Sequence, residues 1–364
     1  MYQFADEWGP ESVFEVYDTK TKTHAVLVID NTARGPGKGG IRMVPDVSAH
    51  EVFSLARAMT WKNSLADIPY GGAKCGIKAD PKKADKEKIM RVVADKLAPL
   101  IPKYYIAGPD MNTTEKEMDA FANQLGRKDA CTGKSIAAGG LPHELGSTGY
   151  GIVQATKVAA EYLKFPLSGA TVALEGYGNV GTFTHKFISE LGAKVIAISD
   201  SKGTAFLPSG LDYSTAMKIK SEKGTITAYP GAQIKPAADL FAIQADILIP
   251  GARPNVITEA NVNSVKAKMV VEAANIPMSP AMEGLLSSRG VAVLPDFLVN
   301  AGGVISSHAE LIGTSQEGMF SMVKDKITKN TQVVMEKSNG KNIRDAALAI
   351  AKARVKEAMD KKGM

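Results

Sequence analysis

The chain has 364 residues, more than a single hydrophobic core usually supports, so we expect more than one domain. With 45% hydrophobic and 23% charged residues the composition is globular, and no apolar run is long enough to span a membrane. The net charge of +6 comes from scattered basic residues, which argues against nucleic acid as a partner. The two cysteines, Cys75 and Cys131, lack paired spacing, so we expect no disulfide, no metal site and a reducing, cytoplasmic location.

The first elements predicted along the chain are two strands and a helix. Val13–Tyr17 and His24–Ile29 are short runs rich in β-branched and apolar residues, joined by a polar turn, as in two paired strands. Ser48–Glu51 has the spacing of a capping box, and apolar residues recur after it. This pattern predicts a helix that ends near Asp67.

The second part of the chain has a different pattern. A second capping box, Thr114–Glu117, opens another helix, and the glycine-rich residues 132–147 predict a hinge between two domains. Beyond it, short apolar runs are separated by helical stretches, and the runs are Thr171–Glu175, Lys194–Ser199, Ala245–Ile249, Met269–Glu272 and Val291–Leu294. Buried strands that alternate with helices indicate an α/β fold with a parallel, doubly wound sheet. From Asp296 onward the pattern is mostly helix and turn.

Three lysines in the N-terminal part stand in unusual surroundings. Lys38 precedes two glycines, Lys62 follows an apolar helix face, and Lys74 follows two glycines that let the backbone come close. Lysine is normally a surface residue. Cations in such a setting bind carboxylates, and burial lowers a lysine pKa toward neutrality. The pattern therefore indicates chemistry on an amino acid or a keto acid.

A glycine-rich sequence, GYGNVG at positions 176–181, follows the first of the later apolar runs and opens a predicted helix. An acid, Asp200, ends the next run, nineteen residues after the third glycine. Strand, glycines, helix and acid in this order indicate a dinucleotide site, where the backbone approaches the pyrophosphate and the acid binds the adenosine ribose. The predicted cofactor residues here are Gly176, Gly178, Asn179, Val180, Gly181 and Asp200.

The same segment bears on the choice between NAD and NADP. Asp200 favours NAD, because its carboxylate would repel a 2′-phosphate. Ser201 and Lys202, which follow it directly, are residues that would accommodate such a phosphate. We therefore expect NAD or NADP as cofactor, with NAD favoured.

Several motifs occur in a fixed order along the chain. They are KGGIR at 38–42, MTWK at 59–62, GGAK at 71–74, PDMNT at 109–113, GYGNVG at 176–181, AN at 274–275 and PDFLVNAGGV at 295–304. With these motifs the chain resembles the glutamate/leucine/phenylalanine/valine dehydrogenase family over essentially its whole length. The resemblance implies oxidative deamination of an L-amino acid to a 2-keto acid and ammonia, with NAD or NADP as hydride acceptor.

The resemblance also implies an architecture with two domains. An N-terminal α/β domain for substrate binding and oligomerisation would cover residues 1–135, and a Rossmann NAD(P)-binding domain would cover residues 148–335. A C-terminal helix, residues 336–364, would pack back on the substrate domain. Members of the family are oligomeric, so a homo-oligomer is expected.

Catalytic roles follow from the resemblance at the matching positions. Lys74 matches the family's catalytic lysine, which polarises the carbonyl or the water that adds to the imine. Asp110 matches the carboxylate that carries protons to and from the amino group. Lys62 matches the residue that binds the substrate α-carboxylate.

Three further polar residues match cofactor positions of the family. Asn275 and Asn300 correspond to residues near the nicotinamide ribose, and Thr148 to one near the carboxamide. For each of them a turn or a helix cap is the alternative interpretation, because Asn and Thr are common in both.

Two positions bear on the substrate. Glutamate-specific members of the family carry a lysine just before the first Gly-Gly pair and a serine three residues after NAGGV, where branched-chain and aromatic relatives carry apolar residues. This chain has Lys38, followed by Gly39, and Ser307 at these positions. A buried lysine without a carboxylate is costly, so Lys38 and Ser307 predict a dicarboxylic substrate, L-glutamate, with Gly39 as a further substrate-binding residue.

Two other functions remain open at this point. One is a leucine/valine-type or broad-specificity amino-acid dehydrogenase, since Tyr150 stands where glutamate-specific members usually carry arginine. The other is a non-catalytic, dinucleotide-binding regulatory protein on the same fold. The presence of both Lys74 and Asp110 argues against the second.

Overall fold

The structure, a computed structural model, describes residues 4–141 and 146–364, so residues 142–145 of the predicted hinge lie outside the described residues. The chain divides into two compact units, each built from several chain segments. Unit 1 comprises Met1–His143, Val304–Met322 and Ile350–Met364, and unit 2 comprises Glu144–Gly303 and Val323–Ala349.

Unit 1 contains a mixed sheet flanked by helices. Its strands are β1 (Ser12–Asp18), β2 (Thr23–Asn31), β3 (Gly37–Lys38), β4 (Ile41–Val44), β5 (Gly71–Lys78) and β6 (Tyr105–Ile106), and its first helices are α1 (Ala49–Leu65), α2 (Lys86–Leu97) and α3 (Glu115–Leu125). The strand order is β1-β2-β5-β3-β6, with β4 also paired to β5. β2 is antiparallel to β1 and β5, whereas β3 and β4 run parallel to β5. β5 is therefore central, and all its residues except the last are buried.

Local signals account for the helices of unit 1. The Ser48 side chain accepts a hydrogen bond from the Glu51 N–H and caps α1. Thr114 and Glu117 form both halves of a capping box at the start of α3. Both predicted helix starts and the two N-terminal strands are therefore confirmed. Apolar residues of α2 and α3 pack with β2 and β5 in one core.

Unit 2 contains a doubly wound sheet. Its strands are β7 (Thr171–Glu175), β8 (Lys194–Asp200), β9 (Gly203–Phe206), β10 (Gln233–Lys235), β11 (Ile247–Pro250), β12 (Met269–Val271) and β13 (Ala292–Leu294), and its helices include α4 (Ser147–Tyr162), α5 (Asn179–Glu190), α6 (Tyr213–Lys223), α7 (Pro280–Ser288) and α8 (Asp296–Val299). The strand order is β10-β9-β8-β7-β11-β12-β13. β8, β7, β11, β12 and β13 are parallel, which confirms the predicted α/β fold with a parallel sheet.

Two short strands extend this sheet in antiparallel fashion and are not predicted from the sequence. β9 pairs with β8, and β10 pairs with β9. No residue of β10 is fully buried. A strand without a buried face leaves no apolar run, so the sequence carries no signal for β10.

Three helices follow in the C-terminal part, as the sequence pattern predicts: α9 (Gly302–Leu311), α10 (Gln316–Ser338) and α11 (Ile343–Lys362). Within unit 1, the Ser64 hydroxyl donates to the Ala351 carbonyl of α11 at 2.8 Å. Arg354 Nη1 donates to the carbonyls of Ser64 and Leu65 at 3.1 and 2.9 Å, which satisfies carbonyl groups at the end of α1. Among the described residues, no helix combines the length and the apolar character needed to cross a membrane.

Candidate active site and cofactor site

Glycines bring the end of β3 close to β5 and to the segment after β6. Lys38 ends β3, which pairs with β5 in parallel. A Cβ atom at Gly39 would lie 1.7 Å from the carbonyl oxygen of Ala73, and one at Gly40 would lie 2.6 Å from the Cβ of Asp110. Only glycine fits at such close approaches. The KGG segment therefore places Lys38 and Asp110 beside β5.

The two predicted catalytic residues form an ion pair. Lys74 Nζ lies 2.9 Å from Asp110 Oδ2, and the two side chains are 8% and 23% exposed. The same carboxylate oxygen accepts a hydrogen bond from Arg42 Nε at 2.9 Å. Arg42 Nη1 in turn donates to Glu51 Oε1 at 2.6 Å. The structure thus brings Lys74 and Asp110 together and adds a second cation to the pair.

Burial is the largest single influence on the charges of this pair. It lowers the pKa of Lys74, because an ammonium group loses its hydration, and the neighbouring Asp110 opposes the change only in part. Burial acts to raise the pKa of Asp110, but the adjacent Lys74 and Arg42 outweigh it and hold that pKa below its usual range. Asp110 is therefore ionised at neutral pH, and Lys74 releases its proton more readily than a surface lysine.

The ammonium group of Lys38 is buried beside a hydroxyl. Lys38 is 3% exposed, and its Nζ donates to Thr132 Oγ1 at 3.0 Å. Across residues 4–141 and 146–364, no carboxylate lies within ion-pair distance of this nitrogen. Burial lowers the pKa of Lys38 to about 8, with Lys134 and Lys74 adding to the effect and Glu310 opposing it.

Ser307 lies on α9, half-buried, one helical turn before Glu310. Glu310 accepts a hydrogen bond from the Gly133 N–H at 2.9 Å and pairs with Lys134 Nζ at 2.5 Å. Both charged side chains are 3% exposed. Because Gly133 directly follows Thr132, Glu310 links α9 to the hydroxyl partner of the buried ammonium. Ser307 therefore lies on the helix that Glu310 ties to the segment of Thr132, the hydroxyl partner of Lys38.

Lys62 lies half-buried in the last turn of α1. The next residue, Asn63, is fully buried and donates from Nδ2 to the carbonyls of Gly71 at 2.6 Å and Lys38 at 3.2 Å. These bonds tie the end of α1 to β3 and β5. Lys62 is thus next to Asn63, which fixes α1 to β3 and β5, the strands that carry Lys38 and Lys74.

The glycine-rich loop of unit 2 connects β7 to α5. Gly176 has φ = +87°, and a Cβ at Gly181 would lie 2.0 Å from the carbonyl oxygen of Gly176, so neither position accepts a side chain. Gly178 directly precedes α5 as its N-cap. In the described part of the chain, no atom lies within 4 Å of the place where a Gly178 Cβ would stand, so the backbone here is open to a ligand.

This loop faces a cavity of about 900 Å³. The volume is in the range of cofactor sites. The cavity is lined by all residues that the glycine fingerprint predicts: Gly176, Gly178, Asn179, Val180, Gly181 and Asp200. A glycine cradle at the start of a twelve-residue helix and an open volume in front of it fit a dinucleotide.

Asp200 has an unexpected environment. Its side chain is 6% exposed and pairs with Lys220 Nζ at 3.0 Å. The carboxylate also accepts hydrogen bonds from the Lys202 N–H at 2.9 Å, the Ile226 N–H at 2.8 Å and Thr225 Oγ1 at 3.2 Å. A carboxylate offers about four lone-pair positions. These donors from the described chain fill them, so a ribose hydroxyl would have to replace one.

The predicted residues of the nicotinamide side also meet within unit 2. Asn300 Nδ2 donates to Asn275 Oδ1 at 2.9 Å and to the Ala273 carbonyl at 3.2 Å. Thr148 lies in the first turn of α4, and its Oγ1 would be 3.1 Å from a Cβ at Gly303. The structure therefore pairs the two asparagines and places Thr148 against the start of α9.

Comparison with known families decides the assignment. A family model described as "Glutamate/Leucine/Phenylalanine/Valine dehydrogenase" matches residues 139–363, and one described as "Glu/Leu/Phe/Val dehydrogenase, dimerisation domain" matches residues 10–127. The chain belongs to the glutamate/leucine/phenylalanine/valine dehydrogenase family. It is therefore an amino-acid dehydrogenase that uses NAD or NADP.

Individual relatives of this dehydrogenase agree with the family models. The glutamate dehydrogenase of Aeropyrum pernix is 39% identical, over 92% of this chain and 85% of its own. The NADP-specific glutamate dehydrogenase of Saccharolobus shibatae is 36% identical, over 92% and 84%. Among solved structures, the leucine-bound hetero-hexameric glutamate dehydrogenase of Thermus thermophilus is similar, with a TM-score of 0.86, 28% identity and coverage of 98% and 90%.

Sequence reasoning missed three residues of this dehydrogenase that contact predicted site residues. Arg42 stands in the KGGIR motif, but the motif alone does not show which carboxylate it binds. Thr132 is 94 positions from Lys38, and Lys220 reaches Asp200 from α6. A polar residue that acts through a long-range contact leaves no periodic or spacing signal in a single sequence. The TGK sequence at 132–134, inside a glycine-rich stretch, was the available hint for Thr132.

Proposed function

We propose that this dehydrogenase catalyses the reversible oxidative deamination of L-glutamate to 2-oxoglutarate and ammonia. The observation that carries the proposal is the buried ammonium of Lys38, which has the hydroxyl of Thr132 as a partner but no carboxylate among the described residues. The side-chain carboxylate of glutamate would supply the missing charge. A leucine side chain would leave a buried cation unpaired, which costs several kcal/mol.

Each polar group of the substrate has a proposed partner in unit 1. Lys38 and Ser307 bind the side-chain carboxylate, and the backbone of Gly39 borders the substrate next to Lys38. Lys62 binds the α-carboxylate that every amino acid carries. The glutamate dehydrogenases of A. pernix and S. shibatae, which are 39% and 36% identical to this chain, support this substrate.

Lys74 and Asp110 carry out the proton transfers in this proposal. Asp110, ionised by its cationic neighbours, accepts a proton from the substrate ammonium group and later returns one to the leaving ammonia. Lys74, whose pKa burial lowers, polarises the oxygen that replaces nitrogen at Cα and orients the water that adds there. The nicotinamide group, when bound, supplies the hydride acceptor, and Thr148, Asn275 and Asn300 orient it.

For the cofactor we propose that NADP is accepted as well as NAD. Asp200 favours NAD in the usual fingerprint, but here its charge is paired with Lys220 at 3.0 Å. A neutralised carboxylate repels a 2′-phosphate much less than a free one. Lys220 and Ser201 both line the cavity and offer donors to such a phosphate. The S. shibatae relative, which is named NADP-specific, supports this reading.

We also propose a homo-oligomer in the cytoplasm. The match of residues 10–127 to a dimerisation domain supports an assembly of identical chains, and the T. thermophilus relative, which is hetero-hexameric, supports an oligomer in general. Both cysteines, Cys75 and Cys131, are free thiols buried in unit 1, as in a reducing compartment.

Substrate specificity tests the proposal directly. Initial rates would be measured with glutamate, leucine, valine and phenylalanine, each with NAD and with NADP. We expect kcat/KM for glutamate to exceed that for leucine by a factor on the order of 10³ or more, since a site built for a polar group rejects an analogue that lacks it. Lys38→Leu should remove most of this preference by lowering activity on glutamate.

Lys88→Leu, a change at an exposed position of α2, is the matched control and should keep the wild-type preference. Full glutamate activity in Lys38→Leu would contradict the role of Lys38. A wild-type enzyme that prefers leucine or valine would instead support the leucine/valine-type alternative. Binding of NADH without turnover of any amino acid would support a non-catalytic protein.

A further inference from the structure

Arg42 occupies a position in unit 1 that the proton-transfer scheme does not use. Its Nε lies 2.9 Å from Asp110 Oδ2, the same oxygen that Lys74 Nζ contacts at 2.9 Å. Arg42 is 13% exposed, and its Nη1 lies 2.6 Å from Glu51 Oε1 on the first turn of α1. One arginine therefore bridges a half-exposed carboxylate on a helix and the carboxylate of the proposed catalytic pair.

This bridge fixes the direction of Asp110 as well as its charge. Asp110 lies in the loop after β6, and its backbone N–H donates to Thr113 Oγ1 at 2.9 Å. That hydroxyl donates to the Ile41 carbonyl at 2.7 Å, next to Arg42 on β4. The loop and the side chain of Asp110 are thus both tied to β4. Rotation of the carboxylate away from Lys74 would break the bond to Arg42.

We propose that Arg42 is a positioning residue for proton transfer, which holds Asp110 toward Lys74 and competes with Lys74 for the same oxygen, while Glu51 orients Arg42. The inference rests on the proposed amino-acid dehydrogenase reaction but not on the identity of the side chain, since Asp110 and Lys74 act on groups that all amino acids share.

The expected effect of Arg42 on the pair has a definite sign. The titratable groups that face the pair from neighbouring elements are Lys38 on β3, Arg42 on β4, Glu51 on α1, Cys75 on β5 and Tyr105 on β6. Among them, Arg42 repels the Lys74 ammonium, and it also draws off part of the charge of Asp110 that would stabilise that ammonium. Loss of Arg42 therefore raises the pKa values of both Lys74 and Asp110.

The test is the pH dependence of kcat/KM for amino-acid oxidation in the full-length enzyme with the Arg42→Gln substitution. Its acidic limb reports groups that must lose a proton before reaction, here the Lys74–Asp110 pair. We expect this limb to move to higher pH by about one unit, as for removal of a cation within a few ångströms. In Arg42→Lys, which keeps the positive charge, the acidic limb should lie close to its wild-type position.

Two variants separate this effect from a loss of structure. Arg57→Gln removes an arginine of the same unit with similar exposure, 15%, that pairs with Asp30 and Asp6 instead. It should lower thermal stability without moving the acidic limb. Glu51→Gln removes only the second anchor of Arg42, so the limb should not move upward.

Two results would overturn the positioning role of Arg42. An Arg42→Gln profile that superimposes on the wild type after scaling, with kcat lower at every pH, would assign Arg42 a structural role only and overturn the proposal. An equal upward shift in Arg57→Gln would do the same. Failure of the proposed function is visible separately, as absence of glutamate turnover in the wild type, and the same profiles can then be recorded with whichever amino acid is oxidised.

Discussion

At the scale of single residues, two buried lysines on adjacent strands have different environments, which is why we propose different roles for them. Lys74 is paired with Asp110 at 2.9 Å, so its charge is compensated before any substrate binds. Lys38 has a hydroxyl partner at 3.0 Å and a pKa of about 8, so it is mostly charged at neutral pH and available to an anion. The ion pair with Asp110 suits Lys74 to proton transfer, and the lack of a carboxylate partner among the described residues suits Lys38 to binding the substrate carboxylate.

The pair of Asp200 and Lys220 allows a residue-scale prediction about the cofactor. Lys220→Met removes one of the donors that bind the Asp200 carboxylate and leaves the negative charge of that carboxylate uncompensated. The freed oxygen can accept from a ribose hydroxyl and repels a 2′-phosphate. We expect the ratio of kcat/KM with NADP to kcat/KM with NAD to fall by about tenfold or more, because charge-assisted contacts to phosphate are strong.

The comparison for that prediction is Lys218→Met, at an exposed position of the same helix α6 that does not line the cavity. This variant loses the same charge but should keep the wild-type ratio. Equal losses with NAD and NADP in Lys220→Met would show that Lys220 supports the fold of the site and does not discriminate between the cofactors.

The sequence predicts residues whose neighbours along the chain carry the signal. Lys38 is recognisable because Gly39 and Gly40 follow it, and the structure shows that a Cβ at either glycine would collide with Ala73 or Asp110. The roles of the predicted site residues themselves remain predictions. Arg42 is different, because its importance comes from a side chain 68 positions away. No pattern in one sequence encodes such a contact.

At the scale of secondary-structure elements, the end of α1 matters because Lys62 lies in its last turn. Arg354 of α11 donates to the carbonyls of Ser64 and Leu65, a favourable position for a cation at a helix C-terminus. Arg354→Met should lower the free energy of unfolding by about 1.5–3 kcal/mol, as for loss of hydrogen bonds to a charged group. We also expect a several-fold higher KM for the amino acid with a smaller change in kcat, because Lys62 would be held less firmly.

Lys356→Met on the same helix provides the reference for this change. Lys356 is 58% exposed and pairs with Asp360, so its loss should alter stability by less than about 0.5 kcal/mol and leave KM unchanged. Urea unfolding and steady-state kinetics of both variants give the two quantities. If Arg354→Met lowered stability but left KM at the wild-type value, the link between α11 and Lys62 would be refuted.

Elements differ in how much of them the sequence reveals. The starts of α1 and α3 are predicted because their capping boxes are local signals, confirmed at Ser48 and Thr114, and the end of α1 is predicted to within two residues. The five parallel strands of unit 2 are predicted because buried strands leave apolar runs. β3 and β6 have two residues each, too few for any periodic signal. These short strands nevertheless carry Lys38 and lead to Asp110.

At the scale of the whole molecule, we expect the stability to depend on pH through a buried cluster in unit 2 that has more negative than positive groups. Arg344 contacts Glu272 at 2.8 Å, Glu283 at 2.6 Å and Asp296 at 2.9 Å. Asp296 also accepts the Ile276 N–H at 2.9 Å, directly after Asn275. One arginine cannot compensate three ionised carboxylates in a buried site, so the cluster retains a proton.

The proton is expected on Glu272. Its side chain is 0% exposed, and one of its oxygens, Oε1, has no hydrogen-bond partner among the described residues. Burial, reinforced by Glu283 and opposed by Arg344, raises the pKa of Glu272 to about 9. A carboxyl with a folded-state pKa above its unfolded value of 4.5 stabilises the fold below pH 4.5, and this contribution is lost as the pH rises through 9.

Glu272→Gln should therefore change the pH dependence of stability in a defined direction. Glutamine resembles the protonated carboxyl and keeps an acceptor for Arg344 and the Asp296 N–H, but it does not titrate. Between pH 5 and pH 9 the stability of the variant relative to the wild type should rise, by at most about 1.4 kcal/mol per pH unit. Glu222→Gln, on the exposed face of α6, should follow the wild type across the range. Parallel curves for the wild type and Glu272→Gln in urea unfolding would mean that Glu272 is ionised in the folded protein and that the cluster holds its excess charge unprotonated.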